Sequence, residues 1–341
     1  PSDLTAGIEF NQDKLEDNMW GYHRTVDQKV NIGSAFLQNE WKNEHWGFLI
    51  GGRLDKHNLI NHVIFSPRAN LRYNPTENIN LRFSYSSGFR APQAFDEDLH
   101  VENVGGNVAM VELADNLKEE RSQSLSASAD IYHRFGAFQV NFLVEGFYTK
   151  LSDVFALTDG EVVDGILTRT RHNASGAQVM GLTLEGKMAY LNKFQFQAGV
   201  TLQQSHYSKP HIWNKEAPAV KKMMRTPNTY GYFTATYTPI KPLSIALSGT
   251  YTGSMLVPHE PVPGFLENPI TVNTKDFFDI GLKAAYDFKL YKSMNLQVNA
   301  GIQNIFNAYQ DDFDKGADRD SGYIYGPSLP RSFFAGVKIS Y

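Results

Sequence analysis

The sequence predicts an all-β chain, an antiparallel up-and-down transmembrane β-barrel, and three observations carry that expectation. The last stretch, from Arg331 to the terminal Tyr341, alternates with period two: Phe333, Ala335, Val337, Ile339 and Tyr341 fall on one face, and Phe334, Gly336, Lys338 and Ser340 on the other. Segments of this kind, each about ten residues long, recur about fourteen times, which is the length a tilted strand needs to cross a bilayer. The connections between them alternate between short and long, as turns at one end of a barrel and loops at the other would.

Taken in order, the clearest segments show one apolar and one wet face. Val63, Phe65, Ala69, Leu71 and Tyr73 oppose Ser66, Arg68, Asn70 and Arg72, and Ile79, Leu81, Phe83 and Tyr85 oppose Asn80, Arg82, Ser84 and Ser86. Phe194, Phe196, Ala198, Val200 and Leu202 alternate with Gln195, Gln197, Gly199, Thr201 and Gln203. Phe278, Ile280, Leu282, Ala284, Tyr286 and Phe288 face away from Asp279, Lys283 and Asp287, and Met294 to Ile302 repeats the pattern against Asn295, Gln297, Asn299 and Gln303. Short connections are expected near 42–44, 74–77, 135–136, 191–192, 239–242 and 290–292, where Asn, Gly, Pro or charged residues suit tight turns. Long ones are expected at 11–28, 56–61, 89–121, 158–165, 207–226, 253–275 and 305–330.

Composition bounds the answer without deciding it. The chain has 341 residues, 42% of them hydrophobic, and a mean hydropathy of -0.37. It contains no uninterrupted apolar run of about 18 residues, so ordinary transmembrane helices are excluded, whereas barrel strands expose only every second side chain to lipid. The 17 tyrosines and 23 phenylalanines suit interfacial girdles and many strands. The absence of cysteine fits a chain that crosses an oxidising compartment without a disulfide framework, and a net charge of -4 gives no reason to expect nucleic acid. The chain opens on Pro1 with no charged-then-apolar leader, the look of a processed or truncated piece. A soluble sandwich would show the same alternation with its apolar faces turned inward. Strand length, the short-long rhythm and the aromatic last strand favour the barrel.

Residues 81–92 read LRFSYSSGFRAP, and with Phe89, Arg90, Ala91 and Pro92 the sequence resembles the TonB-dependent receptors of Gram-negative outer membranes, in which a Phe-Arg-Ala-Pro box opens a long outer loop. Asp115 to Glu120 resembles a degenerate form of a second family box, without its prolines. Asn304-Ile305-Phe306-Asn307, followed by Tyr325-Gly326-Pro327 and Pro330-Arg331, is similar to the family's closing run, and a terminal aromatic resembles the last strand of outer-membrane barrels generally. The resemblance covers nearly the whole chain. It implies the C-terminal part of a 22-stranded barrel over residues 1–341, with about fourteen strands here and the N-terminal plug domain outside this chain. Two strand edges would then await partners, which is costly in lipid.

The family resemblance implies an active-transport receptor that binds a scarce metal chelate, namely a ferric siderophore, haem or cobalamin, and imports it on energy from the TonB complex. Outer-membrane lipid and a small chelate are the expected partners, with a surface lipoprotein a further one the family allows, and no resident cofactor is required. A passive diffusion porin is the alternative, for which fourteen strands would close a barrel. No enzyme constellation is recognisable: there is no cysteine nucleophile, metalloprotease helix, phosphate loop or dinucleotide fingerprint. Charges such as Arg68, Arg72, Arg82, Glu185 and Lys187 are expected to line the lumen. In haem receptors of this family a histidine between the two boxes ligates the iron, which points to His100, with Arg90 beside it as a ligand contact. Asp312, Asp314, Asp318 and Asp320, with Gly316 among them, are hard oxygen donors at two-residue spacing, an arrangement that can enclose calcium or form an ordinary acidic loop.

Overall fold

The computed structural model describes residues 2–22, 24–92, 108–163, 166–290, 293–327 and 329–341. The strands in chain order are β1 Ser2–Met19, β2 Arg24–Lys42, β3 Trp46–His57, β4 Val63–Thr76, β5 Ile79–Arg90, β6 Val108–Leu113, β7 Glu120–Phe135, β8 Phe138–Ser152, β9 Phe155–Val163 and β10 Ile166–Asn173. They continue as β11 Ala177–Tyr190, β12 Phe194–His211, β13 Val220–Lys222, β14 Thr229–Ile240, β15 Leu243–Thr252, β16 Leu256–His259, β17 Ile270–Asn273, β18 Phe277–Lys289, β19 Asn295–Gln303 and β20 Ser332–Ser340. No helix among the described residues is long and apolar enough to cross a membrane.

One antiparallel meander runs β1-β2-β3-β4-β5-β7-β8-β11-β12-β14-β15-β18-β19-β20, fourteen strands in which each pairs with the next, and β13 adds to β12. These are the fourteen segments that the alternation predicts. The strands outside this path all lie in the long connections, as a β6-β10-β9 sheet and a β16-β17 hairpin. Among the described residues nothing pairs β1 with β20, so the wall is an open sheet with two free edges. The two-residue connection after Phe135 needs a left-handed residue, and Gly136 supplies it at φ +58°.

Register puts the alternate residues on two consistent faces. Phe83, Ala127, Gly146, Leu182 and Leu202 stand opposite one another along one cross-strand row. The next row reads Ser84, Ser126, Phe147, Gly181 and Gln203. The apolar face has no protein cover. Phe65, Phe83, Leu182, Leu202, Phe278 and Val337 are all exposed, while the buried apolar residues Ile60, Val111, Ala156, Val257 and Tyr323 gather in the outer loops or at the loop ends of strands. A soluble sandwich would bury those rows, so an apolar surface this extensive requires a non-aqueous neighbour. Near the short turns aromatic pairs meet: Trp46 stacks on Tyr73 at 4.1 Å between centroids and Trp41 on Phe48 at 5.8 Å, while Phe138 and Tyr190 lie tilted at 4.6 Å, the place and chemistry of an interfacial girdle.

The polar face is laced together by side chains. Asp55 accepts from Ser34 at 2.6 Å and from Arg53 at 2.7 Å, and Arg53 reaches Glu9 at 2.9 Å. Gln197 donates to Glu185 at 3.0 Å and to Tyr232 at 2.6 Å, and Lys187 pairs with Glu185 at 2.9 Å.

Three long connections differ from what the sequence implies: two are shortened by strand, and the one expected at 158–165 is longer, running from 153 to 176 between β8 and β11 because it holds two strands that leave the wall. β1 and β2 pair from Ser2↔Trp41 to Met19↔Arg24, which takes up nearly all of 11–28. The segment 158–165 belongs largely to β9 and β10, and β12 runs on to His211. Such strands stand above the wall with water or loop residues on both faces, so they lack the two-residue hydropathy signal that marks a wall strand.

Candidate ligand-binding site

The two motif boxes meet at the outer end of the sheet. β5 and β7 pair there as Phe89↔Arg121 and Arg90↔Glu120, which brings the two ends of the long connection together. The Arg90 guanidinium carbon lies 5.5 Å from the centre of the Phe155 ring, and that of Arg171 lies 5.6 Å from the same ring. Glu120 Oε2 accepts the Phe155 amide hydrogen at 3.0 Å, so one residue at the start of β9 is held by the first box, the second box and β10 together. Such cation–π contacts are worth about 0.5–2 kcal/mol each, more when desolvated, and Arg171 is only 1% exposed.

The second box is pinned by two further clasps. Lys118 N donates to Asn173 Oδ1 at 2.8 Å, and Asn173 Nδ2 donates to Lys118 O at 3.0 Å and Asp153 O at 2.7 Å. Glu119, buried to 5% exposure, faces Arg121 at 2.7 Å and His62 at 3.0 Å. Burial pushes the Glu119 carboxyl up, but the hydrogen bonds from Arg121 and His62 outweigh it and leave the group below its ordinary value. Parallel pairing of β6 with β10, from Ile166↔Val108 to Arg171↔Leu113, ties the two outer connections into one body.

A second body is built from residues 212–228, 253–276 and 304–331. Arg225, at φ +55°, donates to Ile324 O at 3.0 Å and to Gly322 O, and its amide reaches Leu256 O at 2.7 Å. His259 stacks on Tyr323 with centroids 3.8 Å apart and meets Asp314 at 2.9 Å. Tyr323 donates to Asp312 Oδ2 at 3.0 Å and Tyr325 to Asp312 Oδ1 at 2.5 Å. Burial and the Asp312 hydrogen bond push the Tyr323 phenol up to about 12 and raise that of Tyr325 as well. Burial pushes Asp312 up, but the two phenols outweigh it and leave its carboxyl below the ordinary value.

The acidic run is thereby dispersed. Asp312 faces two tyrosines, Asp314 faces His259, and Asp320 accepts from the Glu260 amide at 2.9 Å and the Gly322 amide at 2.8 Å. Asp318 is exposed. Among the described residues no group of three or more His, Asp or Glu is placed to hold a metal ion. His100 lies outside the described residues. The closing motif is a loop clasp: Asn304, 2% exposed, donates to Ala308 O at 2.8 Å and Leu329 O at 3.0 Å, while Asn307 Oδ1 accepts the Arg331 amide hydrogen at 2.9 Å. Phe155, Arg171, His62 and Tyr323 carry much of this architecture, and sequence spacing singles out none of them.

Below the loops, Arg68, Arg72, Arg82, Glu185 and Lys187 share the polar face, as their alternation implies. There Phe36, Gln38, Arg53, Ser66, Arg68 and Ser86 line a cavity of about 530 Å³.

The family model "TonB dependent receptor-like, beta-barrel" matches residues 2–305. Solved structures share the fold: a mutant of the ferric enterobactin receptor PfeA of Pseudomonas aeruginosa, with 17% identity and a TM-score of 0.68 over 98% of this chain and 50% of that one. The siderophore receptor PirA of Acinetobacter baumannii has 16% identity and a TM-score of 0.69 over 99% and 52%. The FrpB iron transporter of Neisseria meningitidis has 17% and 0.67 over 98% and 53%. The chain therefore spans about half the length of these structures. None of the curated proteins matches it. On the family match, which takes in almost all of the fourteen-stranded wall, the chain belongs to the TonB-dependent receptor β-barrel family.

Proposed function

We propose that this chain is part of the barrel of an outer-membrane receptor that captures an iron(III) siderophore at its outer loops and passes it inward on energy supplied by the TonB complex. The observation that carries the reading is the wall itself: fourteen consecutive strands with an uncovered apolar face and a charged opposite face, open at both edges. Free edges are costly in lipid, and a longer barrel with a plug in its lumen would satisfy them, whereas a fourteen-stranded porin would close β1 on β20. The solved siderophore receptors, about twice as long, support the same choice. A haem cargo rests on His100 and a cobalamin cargo on calcium at the last loop; a siderophore needs neither.

The test is uptake. A strain lacking the gene, complemented with the full-length protein, is expected to accumulate radiolabelled iron from a siderophore and to lose that uptake when TonB is deleted or the proton gradient collapsed. Uptake that survives both treatments overturns active transport in favour of a passive pore. Haem is tested separately, by whether His100→Ala changes the absorbance of a bound haem.

A further inference from the structure

We propose that the short-turn end of the wall, from β7 to β19, is a docking surface for negatively charged phospholipids of the inner leaflet, with Arg134, Lys193, Lys241 and Lys289 each meeting a phosphate headgroup. The inference rests on the membrane reading of the wall given above, and adds to it a lipid class and the leaflet that supplies it.

Three observations carry it. The hairpins β7–β8, β11–β12, β14–β15 and β18–β19 follow one another along the wall, and each brings an exposed cation to its short turn. Lys193 and Lys241 lie in the turns themselves, and Lys289 ends β18. Arg134 stands one pair above its turn, and its Nε donates to Gly136 O at 3.3 Å, which holds the guanidinium at the turn. Next, the apolar face runs down to the same level. Phe135, Leu191, Ile240 and Phe288 are exposed and lie within two residues of the four cations, and the ring pairs His133–Phe135 and Tyr286–Phe288 meet at 4.1 and 4.6 Å. Apolar surface, then aromatic rings, then a cation is the order of a bilayer boundary from hydrocarbon to headgroup. Finally, acids are kept away: residues 131–142, 188–197 and 236–246 contain none, and Asp287 near the fourth turn accepts from Gln297 at 2.9 Å on the polar face.

The positive charge is one-sided. At the same end of the wall the turns after β2 and β4 carry Glu44 and Glu77, both exposed, and Lys42 beside the first is paired with Asp3. Neighbouring hairpins are two strands apart, roughly 10 Å, so the four cations span an arc of roughly 30 Å and can meet separate headgroups. The long loops mark the outer end of the wall, which sets these turns at the inner leaflet. Lys and Arg stems lie along apolar surface while their charged ends reach the headgroups, and the attraction to anionic lipid acts through charge close to the membrane surface.

The experiment places the full-length receptor in bilayers of phosphatidylcholine alone and of phosphatidylcholine mixed with phosphatidylglycerol, and compares spin-labelled forms of the two lipids for association with the protein. The wild type is expected to hold phosphatidylglycerol about fivefold more strongly, the factor that one cation per headgroup supplies. R134Q, K193Q, K241Q and K289Q combined are expected to bring the two lipids level. Exchanging Arg and Lys at the same positions is expected to keep the preference, and so is E44Q with E77Q. A preference that survives in the glutamine variant overturns the proposal. So does a glutamine variant that melts at a lower temperature in both kinds of bilayer, because the cations would then be holding another part of the receptor. Loss of binding to sedimented cell-wall polymer with the lipid preference intact overturns it too, in favour of that polymer. A wild type that inserts and holds both lipids equally overturns the docking surface alone, whereas one that inserts into neither bilayer overturns the membrane reading with it.

Discussion

Phe155 is held by two guanidiniums, with Arg90 at 5.5 Å and Arg171 at 5.6 Å from the centre of its ring. Arg90 comes from the first motif box and Arg171 from a strand in a different outer connection, so this one ring joins two loops. Phe155→Ala is expected to release β9 and β10 from the wall. Both cation–π contacts are lost, about 1–3 kcal/mol together. Hydrogen exchange should speed up over 108–113 and 155–173 while β5 and β7 keep their protection, and Phe155→Trp should restore it.

The second outer body depends on a carboxylate and two phenols. Asp312 has its pKa lowered in the folded protein, so its contribution is fully present above the ordinary value of 3.8 and disappears as pH falls through the depressed one. Tyr323 has its pKa raised to about 12, so its contribution is fully present below the ordinary value of 10.0 and disappears as pH rises toward 12. Protease resistance of 304–331 is therefore expected to be flat between those two ordinary values and to fall outside them. A D312N variant should lose the acid limb.

Divalent ions provide a separate check on the last loop. Because Asp312, Asp314 and Asp320 face protein donors, chelation of calcium is expected to leave the melting temperature unchanged. Asp312→Asn should destabilise the loop and Asp318→Asn should not. A calcium site would reverse the first result and make both substitutions costly.

Asn304 is expected to be intolerant for two reasons that can be separated. It sits at φ +50° and makes three side-chain hydrogen bonds while almost fully buried. Asn304→Gly keeps the backbone conformation and loses the bonds, which costs about 1–3 kcal/mol. Asn304→Ala adds backbone strain of about 1 kcal/mol and should unfold at the lower temperature of the two.

The wall was legible because its signal is local. Phe83 beside Ser84, or Leu182 beside Thr183, is enough to fix a face, since side chains alternate whatever the partner strand. The loop sheets were hidden because their pairings are not local: Ile166 pairs with Val108 across a separation that no periodicity encodes. Asn304 and Arg90 were found through motif resemblance, and their physical tasks, a clasp and a clamp, became visible only with their partners. Phe155 looks in sequence like any apolar strand residue. In the acidic run, spacing says nothing about which donors stand opposite each carboxylate, so the partners of Asp312, Asp314 and Asp320 became visible only in the fold.

The central claim is that the apolar face of this wall meets lipid and the opposite face a lumen. This chain has no cysteine, so once any cysteine elsewhere in the full-length receptor is replaced by serine, single cysteines along Leu81 to Ser86 and Leu182 to Glu185 can carry spin labels in bilayers. Labels at 81, 83, 85, 182 and 184 are expected to collide with membrane-dissolved oxygen, and those at 82, 84, 86, 183 and 185 to be shielded from it, with period two in both strands. Equal oxygen access at neighbouring positions, or strong contact of 83 and 182 with a water-soluble quencher, would contradict it.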